Sequence, residues 1–217
     1  MSVTLYYFDG RGKAEIVRLA MAAANIPFTQ EFVREKKQFE ALRAEGKLLF
    51  GQLPMVEYEG HHLVQSASMA RFFAEKGDLL GSDEEERLKI DILFEGTRDF
   101  NSSFMPYGFL GFKEVLDSAK ATAMPRYLPI YNFLLSRNGS NGYLVGSKVS
   151  LADLGLLEVV LTIEELLGED TLKPYPEVQN FLKTMKSNEL ISKYLKSELR
   201  RRKNDEKYVT EVKSVLY

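Results

Sequence analysis

Pro54, inside the stretch Q-L-P-M-V-E-Y-E-G-H-H-L-V-Q-S over residues 52–66, constrains this chain more than any other residue. Proline has no N–H to give a strand ladder, so it belongs at the start or edge of a strand rather than within a central one. Leu53, just before it, then keeps a free backbone N–H and C=O that can pair with an extended, peptide-like ligand. Glu59-Gly60 supplies a two-residue hairpin turn, with Gly60 accepting positive φ. Gln65-Ser66 precedes A-S-M-A-R-F-F-A, so Ser66 is expected to cap a helix whose exposed N–H groups would attract a carboxylate or phosphate. An open strand edge and an anion-binding helix end would thus lie about a dozen residues apart in one hairpin-and-helix unit.

The flanking pattern extends this unit. Residues 3–8 alternate as a strand, residues 13–24 as an amphipathic helix ended by Asn25 and Pro27, residues 28–33 as a short strand, and residues 36–44 as a polar helix. Together with the hairpin and the helix after it, they predict a small α/β layer with a mixed sheet. Gly81-Ser82 marks a change of character. Beyond it the periodicity is helical, with segments expected at 84–104, 113–136, 151–167, 177–186, 189–196 and 206–215. In V-S-L-A-D-L (149–154), Ser150 and Asp153 form a capping box, and Val149 and Leu154 stand at staple spacing.

Composition removes whole classes of mechanism. There is no cysteine among the 217 residues, hence no disulfide, thiol nucleophile or thiolate metal site. The only histidines are the adjacent His61 and His62, which an extended strand would point to opposite faces, so neither a histidine triad nor a metal site is expected. A net charge of −2 argues against a nucleic-acid surface. The one basic run, residues 200–203, reads as a solvated helix end or loop, since Asp205 and Glu206 follow it. No early apolar segment suggests a secretory signal, and no run is long and apolar enough to span a membrane. A cytoplasmic location is expected.

The polar candidates of the first part are Tyr7, Arg11, Lys13, Gln52, Gln65 and Ser66. Tyr7 stands at the end of the first strand, where ligands collect in open α/β layers. It fits either a core tyrosine beside Tyr6 and Phe8 or a phenol donating a hydrogen bond to a bound anion. Gly10 and Gly12, in D-G-R-G-K-A-E-I, lack both nucleotide-binding patterns and are read as allowing close strand-to-helix packing.

Six stretches carry a family resemblance in their order and spacing: L-Y-Y-F-D-G-R-G-K, L-R-A-E-G-K-L-L-F-G-Q-L-P-M-V-E, L-V-Q-S, F-E-G-T-R-D, P-R-Y-L-P and Y-L-V-G-S-K-V-S-L-A-D. Over essentially its whole length the chain resembles the cytosolic glutathione transferases, alpha class. The resemblance implies a thioredoxin-like α/β glutathione-binding domain over residues 1–80, an all-α domain with a hydrophobic substrate pocket over residues 84–217, and a homodimer. It implies that Tyr7 donates a hydrogen bond to the sulfur of glutathione, which brings the nucleophile this chain lacks. No metal is implied.

By the same resemblance, Leu53 before a cis Pro54 would pair with the cysteinyl unit, and Gln65 and Ser66 would hold the γ-glutamyl carboxylate. Arg43 and Gln52 would hold the glycyl end. Asp99 and Arg126 match positions that reach the neighbouring subunit's glutathione, and Phe50 matches an aromatic key inserted into the partner. Lys13 stands where the class usually has arginine, keeping the charge but not the planar fork. The pocket for small hydrophobic electrophiles would draw on Phe8, Gly12, Phe104, Met105 and Phe109, with Tyr208, Val212, Val215 and Tyr217 from a C-terminal helix; Tyr208, Val212 and Val215 fall on one helical face. Tyr208 resembles a tyrosine of the alkenal-preferring branch that polarises the aldehyde. Conjugation in detoxification of xenobiotics and lipid peroxidation products is the implied activity. Glutathione-dependent peroxidase or isomerase chemistry on lipid or steroid substrates, and a non-catalytic carrier of hydrophobic ligands, are the alternatives.

Overall fold

The computed structural model describes residues 3–217. Strand β1 (Val3–Tyr7) lies inside a four-stranded sheet of order β2-β1-β3-β4. It pairs in parallel with β2 (Thr29–Phe32) and antiparallel with β3 (Met55–Tyr58), which continues through a hairpin into β4 (His61–Val64). The β1–β2 crossover runs through a 3₁₀ turn at Gly12–Ala14 and helix α1 (Glu15–Ala23). Helix α2 (Lys36–Ala44) follows β2, and α3 (Ser66–Lys76) follows β4 and packs beside α1. Pro54 comes just ahead of β3, where its missing N–H interrupts no ladder. Glu59 and Gly60 turn the hairpin with φ of 49° and 80°, a pair of left-handed residues that matches the twist of the strands they join. His61 and His62 lie on the outer strand and are both exposed.

The remainder is helical: α4 (Glu84–Ser102), α5 (Tyr107–Leu110), α6 (Phe112–Ser118), α7 (Met124–Arg137), α8 (Leu151–Leu167), α9 (Pro176–Ser187), α10 (Glu189–Leu195) and α11 (Glu206–Leu216). Helix α8 is the hub. Every residue from Leu151 through Leu161 is buried, as expected of a helix that is apolar on all faces. It packs on α4, where Gly155 lets Thr97 approach so closely that a Cβ would lie 2.1 Å from the threonine hydroxyl. The backbone N–H of Leu151 donates to the carbonyl of Leu79 at 2.9 Å, tying the start of α8 to the segment leaving α3.

Two local expectations need correction. The single helix expected over 113–136 is divided: α6 and α7 are joined by a π turn at Ala119–Ala123. Pro125 in the first turn of α7 has no N–H to return, and the ladder widens ahead of it. Ser66 is not the cap of α3 but its first residue. The capping position belongs to Gln65, held at φ 70° and ψ 107°.

Candidate functional site

A cleft of about 610 Å³ opens between the end of β1, the approach to Pro54, the α4–α5 region and α11. Of the residues anticipated there, Tyr7, Phe8, Gly12, Lys13, Gln52, Leu53, Met105, Phe109, Tyr208 and Val212 line it. Arg43, Pro54, Gln65 and Ser66 of the expected glutathione site lie outside its lining, and so do three residues expected in the substrate pocket. Phe104 is only 1% exposed and packs on Phe100 at 5.7 Å between centroids, on the side of a separate polar chamber of about 30 Å³. Val215 is fully buried on the packed side of α11, and Tyr217 is 88% exposed beyond the helix. The cleft face of α11 advances in steps of four, from Tyr208 through Val212 to Leu216, so the three-residue step to Val215 turns inward. Phe39, Ser102, Pro106, Leu110, Asn204 and Leu216 line the cleft without having been singled out.

At its polar end the Tyr7 oxygen is the focus. It accepts the backbone N–H of Lys13 at 2.9 Å and shares a hydrogen bond with the Tyr208 hydroxyl at 3.1 Å. The Arg18 guanidinium stands 6.0 Å from the Tyr7 ring centroid. Burial pushes the Tyr7 phenol above its ordinary value, and the Tyr208 hydroxyl, the Lys13 N–H and Arg18 pull against it without prevailing. Tyr7 is therefore a phenol at neutral pH, equipped to donate a proton in a hydrogen bond and unsuited to act as a base.

Arg18, missed in sequence, is fully buried. It donates to Gln30 Oε1 at 2.6 Å and to the Arg11 carbonyl at 3.2 Å, and its guanidinium lies 3.6 Å from the Glu15 carboxylate. The Glu15–Arg18 spacing of one helical turn was the available signal. Arg11 itself faces the polar chamber rather than the cleft and pairs with Glu165. Lys13 is exposed, and among the described residues its ammonium has no ion-pair partner.

The glycines of D-G-R-G-K serve a helix from the far end of the chain. A Cβ on Gly10 would lie 2.2 Å from the Tyr208 ring, and one on Gly12 would lie 2.4 Å from both the Tyr7 and Tyr208 hydroxyls. The close packing expected between strand and following helix is thus packing against α11.

Further along the cleft, the Leu53–Pro54 bond is cis. No backbone hydrogen bond among the described residues uses the N–H or C=O of Leu53. Gln65 is exposed and Ser66 half-buried at the start of α3, which no side chain caps. The positive φ at Gln65 costs of the order of 1–3 kcal/mol for a residue other than glycine. Arg43 is exposed beside Gly51, its guanidinium 5.8 Å from the Phe39 ring centroid. Asp99 and Arg126 are exposed on α4 and α7, away from the cleft lining. Phe50 and Leu49 are 61% and 75% exposed. Among the described residues there is no group of three or more His, Cys, Asp or Glu side chains placed to hold a metal, and no helix is long and apolar enough to cross a membrane.

The basic run is a loop, as one of the two expected forms, but two of its arginines are paired rather than solvated. Arg201 donates to Asp9 Oδ1 at 2.7 and 2.8 Å and lies over the Phe32 ring at 4.8 Å. Arg202 reaches the Asp9 carbonyl at 2.8 Å and Glu211 Oε2 at 2.7 Å. These arginines strap α11 across the end of the sheet. Burial raises the Asp9 carboxyl, but hydrogen bonds from Arg201 and Arg34 outweigh it and hold the group below its ordinary value. Asp9→Ala is expected to cost about 1–2 kcal/mol, since Arg201 loses a partly buried charged acceptor. Urea unfolding measures that loss, and faster proteolysis within residues 198–217 reports the loosened strap.

Residues 3–75 match the model of the glutathione S-transferase N-terminal domain, and residues 99–198 that of the C-terminal domain. Glutathione S-transferase 3 of Gallus gallus is 38% identical, the match covering 98% of this chain and 93% of that one. Glutathione S-transferase alpha-4 of Rattus norvegicus is 36% identical over 98% and 96%. A monomeric glutathione S-transferase of Necator americanus superposes with a TM-score of 0.79 at 25% identity, covering 91% of this chain and 98% of that one.

Proposed function

The chain belongs to the glutathione S-transferase family, and on that footing we propose that Tyr7 holds the sulfur of glutathione as a thiolate for attack on small hydrophobic electrophiles. The observation that carries this reading is the buried Tyr7 phenol, protonated at neutral pH and facing an apolar cleft. The chain is a transferase, and glutathione supplies the nucleophilic sulfur that a cysteine-free protein lacks.

The residues present fit that tripeptide. Leu53 offers a free backbone donor and acceptor for the central unit. Gln65 and Ser66 present an uncapped helix end to the γ-glutamyl carboxylate. Gln52, Arg43 and Lys13 supply polar and positive groups toward the glycyl end and the sulfur. Residues 1–80 act as the thioredoxin-like glutathione-binding domain, and residues 84–217 as the domain that supplies most of the apolar wall. Phe8, Met105, Phe109, Tyr208, Val212 and Leu216 then select the electrophile. Tyr208 is the residue we assign to the carbonyl of a 4-hydroxyalkenal, once its bond to Tyr7 gives way.

The reading includes a homodimer. Phe50 is the key that enters the partner, and Leu88, Ile92, Ile130 and Phe133, each at least 50% exposed, supply apolar surface on α4 and α7 to receive it. Asp99 and Arg126 would then reach the partner's glutathione. Sedimentation equilibrium should find a dimer that Phe50→Ala weakens at least about tenfold in dissociation constant; a monomer in both proteins would refute this arrangement. We place the enzyme in the cytoplasm, where thiols are kept reduced, in the detoxification of xenobiotics and lipid peroxidation products.

A glutathione-dependent assay across an aryl halide, a 4-hydroxyalkenal, a lipid hydroperoxide and a ketosteroid tests the function. Conjugation of the first two is the expected result. Turnover confined to the hydroperoxide or the ketosteroid would reassign the chemistry, and apolar ligand binding without turnover would make the protein a carrier.

A further inference from the structure

Asn204 precedes the capping residue of α11, and it is buried to 6% exposure although its side chain is polar. Its Oδ1 accepts the backbone N–H of Gly12 at 3.0 Å, and its own N–H donates to the Tyr107 hydroxyl at 2.8 Å. Both bonds are buried, and both join the segment ahead of α11 to other parts of the protein. Asn204 stands in the wall between the cleft and the small polar chamber, lining each.

The residue it holds has little freedom to spare and little rigidity of its own. Gly12 sits at φ +39°, against the Tyr7 and Tyr208 hydroxyls. A glycine has no intrinsic preference strong enough to fix that conformation. The next N–H along the chain, that of Lys13, donates to the Tyr7 oxygen at 2.9 Å. The rigid peptide plane before Gly12 is held by Asn204 at the Gly12 N–H and by Ala14 and Arg18 at the Arg11 carbonyl, and the plane after it by the Glu15 N–H at the Gly12 carbonyl. Of these contacts, which together fix where the Lys13 N–H points, the Asn204 bond is the one that comes from the far end of the chain. Four residues after Asn204, Tyr208 reaches the same phenolic oxygen directly. A phenol that accepts the Lys13 N–H is polarised into a stronger donor through its own O–H, and more so in the arrangement in which Tyr208 donates to it as well.

We propose that Asn204 is a positioning residue for Tyr7: by tying the Gly12 turn to the segment ahead of α11, it aims the Lys13 N–H at the phenolic oxygen. This rests on the reading of Tyr7 as the group that holds the sulfur. Asn204 touches neither the sulfur nor the phenol, and acts through Gly12 and Lys13.

The test is an ultraviolet titration of glutathione bound to the full-length enzyme, following the thiolate band in wild type and in Asn204→Ala, Tyr107→Phe, Asp9→Ala and Tyr7→Phe. Asn204→Ala is expected to raise the bound-thiol pKa by about one unit and to lower kcat near pH 6.5 by five- to tenfold, with the KM for glutathione changed less than about twofold. Tyr107→Phe, which removes only the second anchor of Asn204, should move the pKa in the same direction by less; it also serves as the measurement if Asn204→Ala does not fold. Asp9→Ala loosens the strap without touching Gly12 and should leave the pKa in place. An unchanged pKa in Asn204→Ala and Tyr107→Phe, with Tyr7→Phe still raising it, overturns the Asn204 proposal and leaves Tyr7 standing. An equal rise in Asp9→Ala also overturns it, because general loosening then explains the effect. No rise in Tyr7→Phe removes the underlying reading of Tyr7 and the proposal with it.

Discussion

Tyr7→Phe is expected to reduce glutathione conjugation by about 10²-fold near pH 6.5, the scale on which one preorganised donor to a developing or resident anion acts. The substitution takes a partner from the Lys13 N–H and the Tyr208 hydroxyl but leaves the ring packed on Phe8, at 5.1 Å between centroids, so the fold should be kept at a modest cost in stability. The sign of the pH effect follows from which form reacts. The thiolate is the nucleophile, so the rate falls as pH drops below the bound-thiol pKa. A phenol donating to sulfur favours the thiolate and lowers that pKa; without it, the value returns toward the ordinary thiol range near 8.5. The acid limb of the rate profile therefore moves to higher pH, and the deficit shrinks as the pH approaches about 9. Rate profiles of the two proteins from pH 5.5 to about 9 measure this shift. A variant reduced equally at every pH would mean that Tyr7 contributes something other than thiol ionisation.

The largest expected loss of stability lies far from the cleft, at Asp153→Ala. The Asp153 carboxylate is fully buried and closes the capping box of α8. Its Oδ2 accepts the Ser150 N–H at 2.8 Å and the Ser150 hydroxyl at 2.7 Å, and its Oδ1 accepts the Leu144 N–H at 2.8 Å. Burial pushes the carboxyl up to about 6, with the Leu144 and Ser150 donors pulling it back. Alanine would leave two buried backbone N–H groups and a hydroxyl without an acceptor, at about 1–3 kcal/mol for each group that water cannot reach. It would also remove half of the box that starts the central helix. We expect a loss of about 3–5 kcal/mol by urea unfolding. Asp153→Asn should recover only part of it, because one of its two terminal atoms becomes a donor facing a donor. A loss under about 1 kcal/mol would show that water satisfies these groups and that the box is not structurally critical.

Much of the fold was legible because its signals are local. Helix α2 falls at the bounds its pattern announces, and helix α8 at those its periodicity and capping box announce. Pro54, Glu59 and Gly60 fix the hairpin through the chemistry of proline and of positive φ. What sequence could not carry is contact between distant segments. Ser66 has a capping side chain, but Gln65 takes the capping position because the chain leaves β4 through a left-handed conformation. Residues 200–203 look like a solvated charge run, and their partners Asp9 and Glu211 became visible only when α11 was laid across the sheet. The same holds for the cleft. Tyr7 could be placed at a strand end, whereas Arg18, Asn204 and the room that Gly10 and Gly12 make for Tyr208 depend on pieces of chain up to two hundred residues apart. On α11 the error was one of step: Tyr208, Val212 and Val215 share a buried stripe, but Leu216, not Val215, continues the cleft face.

The protonated Tyr7 phenol is expected to lower the pKa of a thiol held in this cleft. The most direct measurement is the thiolate absorbance of glutathione bound to the wild-type enzyme, followed as a function of pH beside free glutathione. A bound-thiol pKa at least about one unit below the free value is expected, with the difference abolished in Tyr7→Phe. A bound thiol that titrates with the free one, or a depressed pKa that survives loss of the Tyr7 hydroxyl, would contradict it.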